Sequence, residues 1–384
     1  MSFVLTRNLY VKDEVEVSLL TALLKKQINE AYFWGFELHY SGFDLFAVLW
    51  RIYYDVYFEK NPYLESYLSK KQELWDITKQ DDIFGCCIKN MMFARSGHSS
   101  KIFVLRQLAQ ASVGKTGRKY QGRPPAWCVQ HPKKYHPWLQ SISKKDYANI
   151  ALHTYALVRE SNGHAEHIYH ELVAYFARII HVESNANDYW NMRKYFDDAH
   201  KLLAIIVYLL NQNINNHAEN IVVSLKPRKT TMSYYDEFSN DHIDGCPPYN
   251  ILKERRLYGV YLNIGSFALA RHTSKDICEL NDIYHVNSRW EQFVFNTPFW
   301  VDKFHTYGAT YDVSRKCVCF PDDDVCEEFY DLYGYEPDEQ PRDVCDKSLG
   351  PIPSTSWKTW YCDIFEEPSI IDFDTTFQFV FIKN

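Results

Sequence analysis

Apolar side chains recur at spacings of three and four over most of the first 212 residues, the period of helices with one buried face. Over residues 15–29, Val17, Leu20, Leu24 and Ile28 form one such stripe. A second helix is predicted over 30–40 and stopped at Ser41-Gly42, with Gly42 suited to the left-handed residue that closes a helix. Asp44 is placed to cap a third, whose apolar face holds Leu45, Val48, Leu49, Ile52 and Val56. Asn61-Pro62 is read as opening a fourth, with Pro62 at the first helical position, where its missing N–H costs nothing. Helical periodicity continues over 83–94 and 99–110, and resumes over 145–159, 165–180 and 189–212. Between them, 114–134 is punctuated by Gly and Pro and reads as a loop.

Residues 213–248 are polar and rich in turn formers, and read as a linker. Beyond them the pattern is mixed. Stretches 258–269 and 293–301 fit strand or helix, 316–320 is extended, 323–333 is helical, and 375–382 alternates as a strand does. The expected fold is mainly α: a multi-helix N-terminal body over 1–212, the linker at 213–248, and a smaller, aromatic-rich α+β region over 249–384. A chain of 384 residues suits two or three cores.

Composition sharpens this only in places. The chain carries 29 Tyr, 24 Phe and 10 Trp, 16% of its residues, which predicts large packing area with polar tips. The longest apolar run, 202–210, is far short of the roughly 20 residues that span a bilayer, so no membrane contact is expected. No basic start leads into an apolar stretch at the N-terminus, and the ten cysteines form no small-domain disulfide framework. The expected setting is intracellular, with reduced thiols.

Charge is more informative than its total of −7. From 83 to 145 there is no Asp or Glu, whereas 12 Lys and Arg occur there; 321–347 holds 11 acids against Arg342 and Lys347. Aromatic rings interleave with the basic segment. Cations beside exposed rings hold single-stranded nucleic acid without sequence preference. The candidate nucleic-acid-binding residues are Lys115, Arg118, Lys119, Arg123, Lys133 and Lys134 for phosphates, with Tyr120, Trp127 and also Tyr135 for stacking on bases. The competing reading packs this segment against the chain's own acidic parts.

Other motifs are weaker. Ala109 to Thr116 satisfies a relaxed phosphate-loop pattern, but the segment before it reads as helix where a strand is required. Cys317, Cys319, Cys326 and Cys345 offer four thiolates at spacings unlike those of structural zinc sites. His164, His167 and His170 lie three apart, a step that drifts around a helix and fits a solvated face better than a metal. No catalytic signature is present, and neither a cofactor nor a metal is expected.

Two resemblances follow from longer stretches. Ser18 to Lys26, Glu30-Ala-Tyr-Phe-Trp34, Ser41-Gly42, Leu49-Trp-Arg51, Tyr54-Asp-Val56 and Asn61-Pro62, in this order, resemble the collar-type helical domain of AAA+ clamp-loader and Werner-interacting ATPases. That domain normally follows an ATPase module, so the resemblance, over about 15–65, implies an oligomerisation or docking unit without its motor. Separately, residues 30–43, Trp290 with Pro298-Phe-Trp300, and 327–340 resemble uncharacterised proteins of large nucleocytoplasmic DNA viruses. This implies a viral factory in the host cytoplasm or a virion. The expected function is a non-enzymatic adaptor that binds DNA or RNA in viral replication or transcription, with a protein partner or self-association through the N-terminal helices. The alternative is a virion assembly protein without nucleic-acid contact.

Overall fold

The computed structural model describes residues 4, 6–7, 10, 12–93, 97–112, 117–161, 165–177, 197–211, 291, 294–315, 317–333, 357–365, 371–373 and 379–381. Within them the chain is mainly α, with short antiparallel strand pairs only toward the C-terminal end. The 213–248 linker lies outside the described residues.

Helix α1 (Lys12–Leu24) is the axis of the N-terminal body. Its residues are buried on every side from Glu14 to Leu24, so the single stripe expected from its sequence becomes a helix enclosed by its neighbours. Enclosure requires its polar groups to be paired. Ser18 and Thr21 donate to the carbonyls of Glu14 and Val17, both at 2.7 Å. Glu16 meets Lys12 at 3.0 Å and also Arg51.

α1 stops five residues earlier than its periodicity predicts, because Lys26 turns left-handed at φ 58°. The Lys26 N–H bonds the Leu23 carbonyl and the Gln27 N–H reaches back to Ala22. The same paired closure recurs after α2 (Ile28–Tyr40), with Gly42 at φ 80°. There the glycine has a second role: a Cβ on it would stand 2.6 Å from Pro298 Cβ, so the body and the C-terminal region meet at this point.

Asp44 caps α3 (Leu45–Ile52) as expected, accepting the Ala47 N–H at 3.0 Å. The helix runs on into a wide π turn, Tyr53–Tyr57, in which every residue is buried. The fourth helix, α4 (Leu64–Thr78), begins two residues later than expected. The carbonyls of Asn61 and Pro62 instead receive the Tyr53 hydroxyl, at 3.1 and 2.9 Å, which holds the turn outside the helix. Next come α5 (Asp82–Met92) and α6 (Lys101–Ala111).

The stretch read as a loop contains two short 3-10 turns, Ala126–Gln130 and Lys133–Tyr135, each introduced by a proline. They lead into α7 (His136–Ser143), a helix the sequence pattern did not announce, with Pro137 in its first turn. α8 (Tyr147–Glu160), α9 (Ala165–Tyr175) and α10 (Asp198–Asn211) complete the body.

In the C-terminal region α11 (Pro298–Thr306) resolves the strand-or-helix ambiguity as helix. The hairpin β1 (Thr310–Asp312) and β2 (Cys317–Cys319) pairs Asp312 with Cys317 and Thr310 with Cys319. α12 (Asp323–Tyr333) forms as expected. Phe304, Phe329 and Tyr333 stack into a small aromatic core, with Phe304 and Phe329 centroids 5.0 Å apart. β3 (Ile371–Phe373) and β4 (Phe379–Phe381) pair antiparallel. Between the two hairpins, α13 (Trp357–Ile364) returns to the N-terminal core. Trp360 donates to Thr21 at 2.8 Å, and the Tyr361 hydroxyl lies 2.6 Å from that of Ser100.

Candidate functional site

The acid-free segment divides into an inner and an outer part. Inside, Arg106 on α6 is buried and places two guanidinium nitrogens on the two oxygens of Asp55, each at 2.7 Å. His200 Nε2 stands 3.1 Å from the same carboxylate. Burial alone would raise the Asp55 pKa, but Arg106 and His200 outweigh it and hold the carboxyl down at about 2. Beside this cluster Lys201 lies 3.3 Å from Glu65, both buried. Burial pushes the Glu65 carboxyl up to about 7 against the opposing pull of Lys201 and Tyr54. Asp55 and Tyr54 come from the π turn, whose extra residue brings both side chains inward. Lys101 also faces an acid, Glu59, at 3.8 Å.

The outer part begins at Gly117, which lies flat on the His153 ring; a Cβ there would stand 2.6 Å from it. The Arg118 N–H donates to Asn149 Oδ1 at 2.7 Å, and the Arg118 carbonyl lies 3.2 Å from His153 Nε2. Burial lowers the His153 pKa, against the raising effect of that carbonyl. Residues 117–120 are thereby laid along the start of α8. Tyr120 donates its hydroxyl to Asp146 at 2.8 Å, and Lys144 Nζ sits 3.9 Å from the centre of its ring. Asp146 also caps α8 through the Asn149 N–H, and Lys145 before it is left-handed at φ 52°.

This frame leaves Arg118, Lys119, Arg123, Lys133, Lys134, Lys144 and Lys145 exposed. Among the described residues none of them forms an ion pair with an acid. The aromatic partners expected beside them are turned inward. Trp127 is half-buried against Tyr175, ring centres 5.3 Å apart. Tyr135 and Trp138 are buried, and the Trp138 indole donates to Thr154 at 3.0 Å. Phe84 and Phe103 belong to the core, while Phe93, 44% exposed, follows α5.

Lys115 lies outside the described residues, as do Gly114 and Thr116 of the phosphate-loop look-alike. The segment that leads toward them is α6, a helix rather than the strand such a loop follows. Cys317 and Cys319 have their sulfurs 3.8 Å apart on β2, and Cys345 lies outside the described residues. His167 and His170 are exposed on α9, and His164 is likewise outside. Among the described residues no group of three His, Cys, Asp or Glu side chains stands close enough to hold a metal ion. No helix among them is long and apolar enough to cross a membrane.

The residues that sequence reasoning missed are those of the inner cluster. Arg106 counts among the 12 cations of the basic segment, yet its carboxylate partner is 51 positions away. The available signal was its setting in Ile102-Phe-Val-Leu-Arg106, an apolar run unsuited to a solvated charge. Comparison with protein-family models, with curated proteins and with solved structures returns no match for this chain.

Proposed function

We propose that the protein is a non-catalytic adaptor that binds nucleic acid through the exposed cations of 117–145. The observation that supports this reading is the sorting of charge within one acid-free segment. Buried Arg106 and half-buried Lys101 have carboxylates facing them. Seven others are exposed and face none among the described residues, which leaves them accessible to an external counterion. A polyanion that displaces condensed counterions as it docks is the ligand such a surface favours.

A protein partner using the N-terminal helices would be limited in where it docks. α1 is enclosed, whereas α4 presents Leu74 and Ile77, the latter 82% exposed, one turn apart.

The test is binding of a fluorescein-labelled oligonucleotide, followed by anisotropy across a salt series. Affinity should fall with log salt at about −0.7 to −0.9 per phosphate contacted. Replacing Arg118, Lys119 and Arg123 together with Ala should flatten that slope by about two units and leave the melting temperature unchanged. Absence of binding at ~0.1 M salt to any DNA or RNA strand would remove the reading.

A further inference from the structure

We infer that this surface reads phosphates and not bases, and that its ligand is double-stranded nucleic acid; the inference rests on the proposed function above. Recognition of single strands depends on open aromatic faces on which unpaired bases can stack. Here each ring among the cations of 117–145 already has an internal role. Tyr120 has its hydroxyl tied to Asp146 and Lys144 across its ring. Trp127 lies against Tyr175, and Tyr135 and Trp138 are sealed in the core. Freeing Trp127 would open the contact between the first 3-10 turn and α9, and freeing Tyr120 would cost Asp146 one of its bonds at the start of α8.

What 117–145 presents outside is seven cations, with Val129 the one large apolar side chain exposed among them. Arg118 and Lys119 stand beside the 144–146 turn through the Tyr120 link, so they group with Lys144 and Lys145 at the C-terminal end of α7. Lys133 and Lys134 occupy the turn at its other end. Charge without stacking favours the partner with the denser phosphate array. A duplex carries one charge per ~1.7 Å of axis and releases more counterions per contact than a single strand.

The experiment compares one 30-mer as duplex and as single strand, with the intact chain, by anisotropy at ~0.05–0.3 M salt. The duplex should bind at least as tightly as the single strand at every salt concentration, with the steeper slope. Trp127→Leu should change either affinity less than twofold while lowering the melting temperature, and Tyr120→Phe should behave likewise. A preference of tenfold or more for the single strand, together with loss of that preference in Trp127→Leu, would overturn the inference and leave nucleic-acid binding standing. No binding to either form would overturn both.

Discussion

Asp55 offers a direct test of whether Arg106 belongs to the interior rather than to the binding surface. Asp55→Asn keeps the shape of the side chain and removes its charge. The Arg106 guanidinium, held by two 2.7 Å bonds in the wild type, then loses the anion that faces it in the interior. Breaking a buried pair from one side costs about 3–5 kcal/mol. Proton linkage gives an independent figure. A carboxyl lowered from 3.8 to about 2 contributes about 2.4 kcal/mol at neutral pH. The mutational cost is larger because it also takes the carboxylate away from buried Arg106. Since the folded pKa lies below the unfolded one, this stability is present above about pH 4 and is lost as pH falls toward 2. Urea unfolding followed by circular dichroism should show a loss of about 3–5 kcal/mol at pH 7, shrinking steadily below pH 4. A loss under about 1 kcal/mol at pH 7, or a difference that persists undiminished near pH 2, would refute the assignment. Arg106→Gln should likewise destabilise the chain, and it should leave the salt dependence of oligonucleotide binding untouched, unlike the surface cations.

Three further outcomes are expected. Gly42→Ala combines left-handed backbone with a Cβ 2.6 Å from Pro298, so it should cost about 2–4 kcal/mol, read from thermal melting; an unchanged melting temperature would show that α11 does not rest there. Trp360→Ala should cost about 3–5 kcal/mol by removing a buried indole and its bond to Thr21, and a loss below 1 kcal/mol in a urea titration would place α13 off the core. Glu65, raised by burial from 4.5 to about 7, should make the protein less stable as pH climbs between those values, by about 3 kcal/mol in all. Glu65→Gln should abolish that component of the pH profile, and an identical profile in the variant would contradict it.

Local signals carried much of the fold. Asp44 as a cap, Gly42 as a stop, the extended Cys317–Cys319 segment and the helix Asp323–Tyr333 each depend on chemistry within a few residues, and each forms where its sequence places it. Boundaries failed where an unusual residue took a conformation its type disfavours. Four closures of the same kind occur after α1, α2, α7 and α11, with Lys26, Gly42, Lys145 and Gly308 in the left-handed position. The two glycines are legible; the two lysines are not, since a Cβ costs about 1–2 kcal/mol there and only part of that is offset by a cation near the helix C-terminus. α7 was hidden by the prolines before and within its first turn, which mark a loop and a helix start alike. For the candidate site, sequence supplied the cations of 117–145 but not their sorting. Whether a Tyr or Trp faces outward depends on Asp146 and Tyr175, residues distant enough that no spacing rule connects them.

The docking of α13 also fixes a timetable for synthesis. Trp360 is separated from Thr21 by 339 positions, so at ~5–20 residues per second roughly 17–68 s pass between the synthesis of these two partners. Through that interval the slot beside Thr21 and Phe103, which Trp360 later fills, is open to water and to other nascent chains. The body therefore reaches its final packing only after translation has passed the acidic stretch at 321–347, whose excess acids reverse the net positive charge of residues 1–320 before that apolar slot is covered.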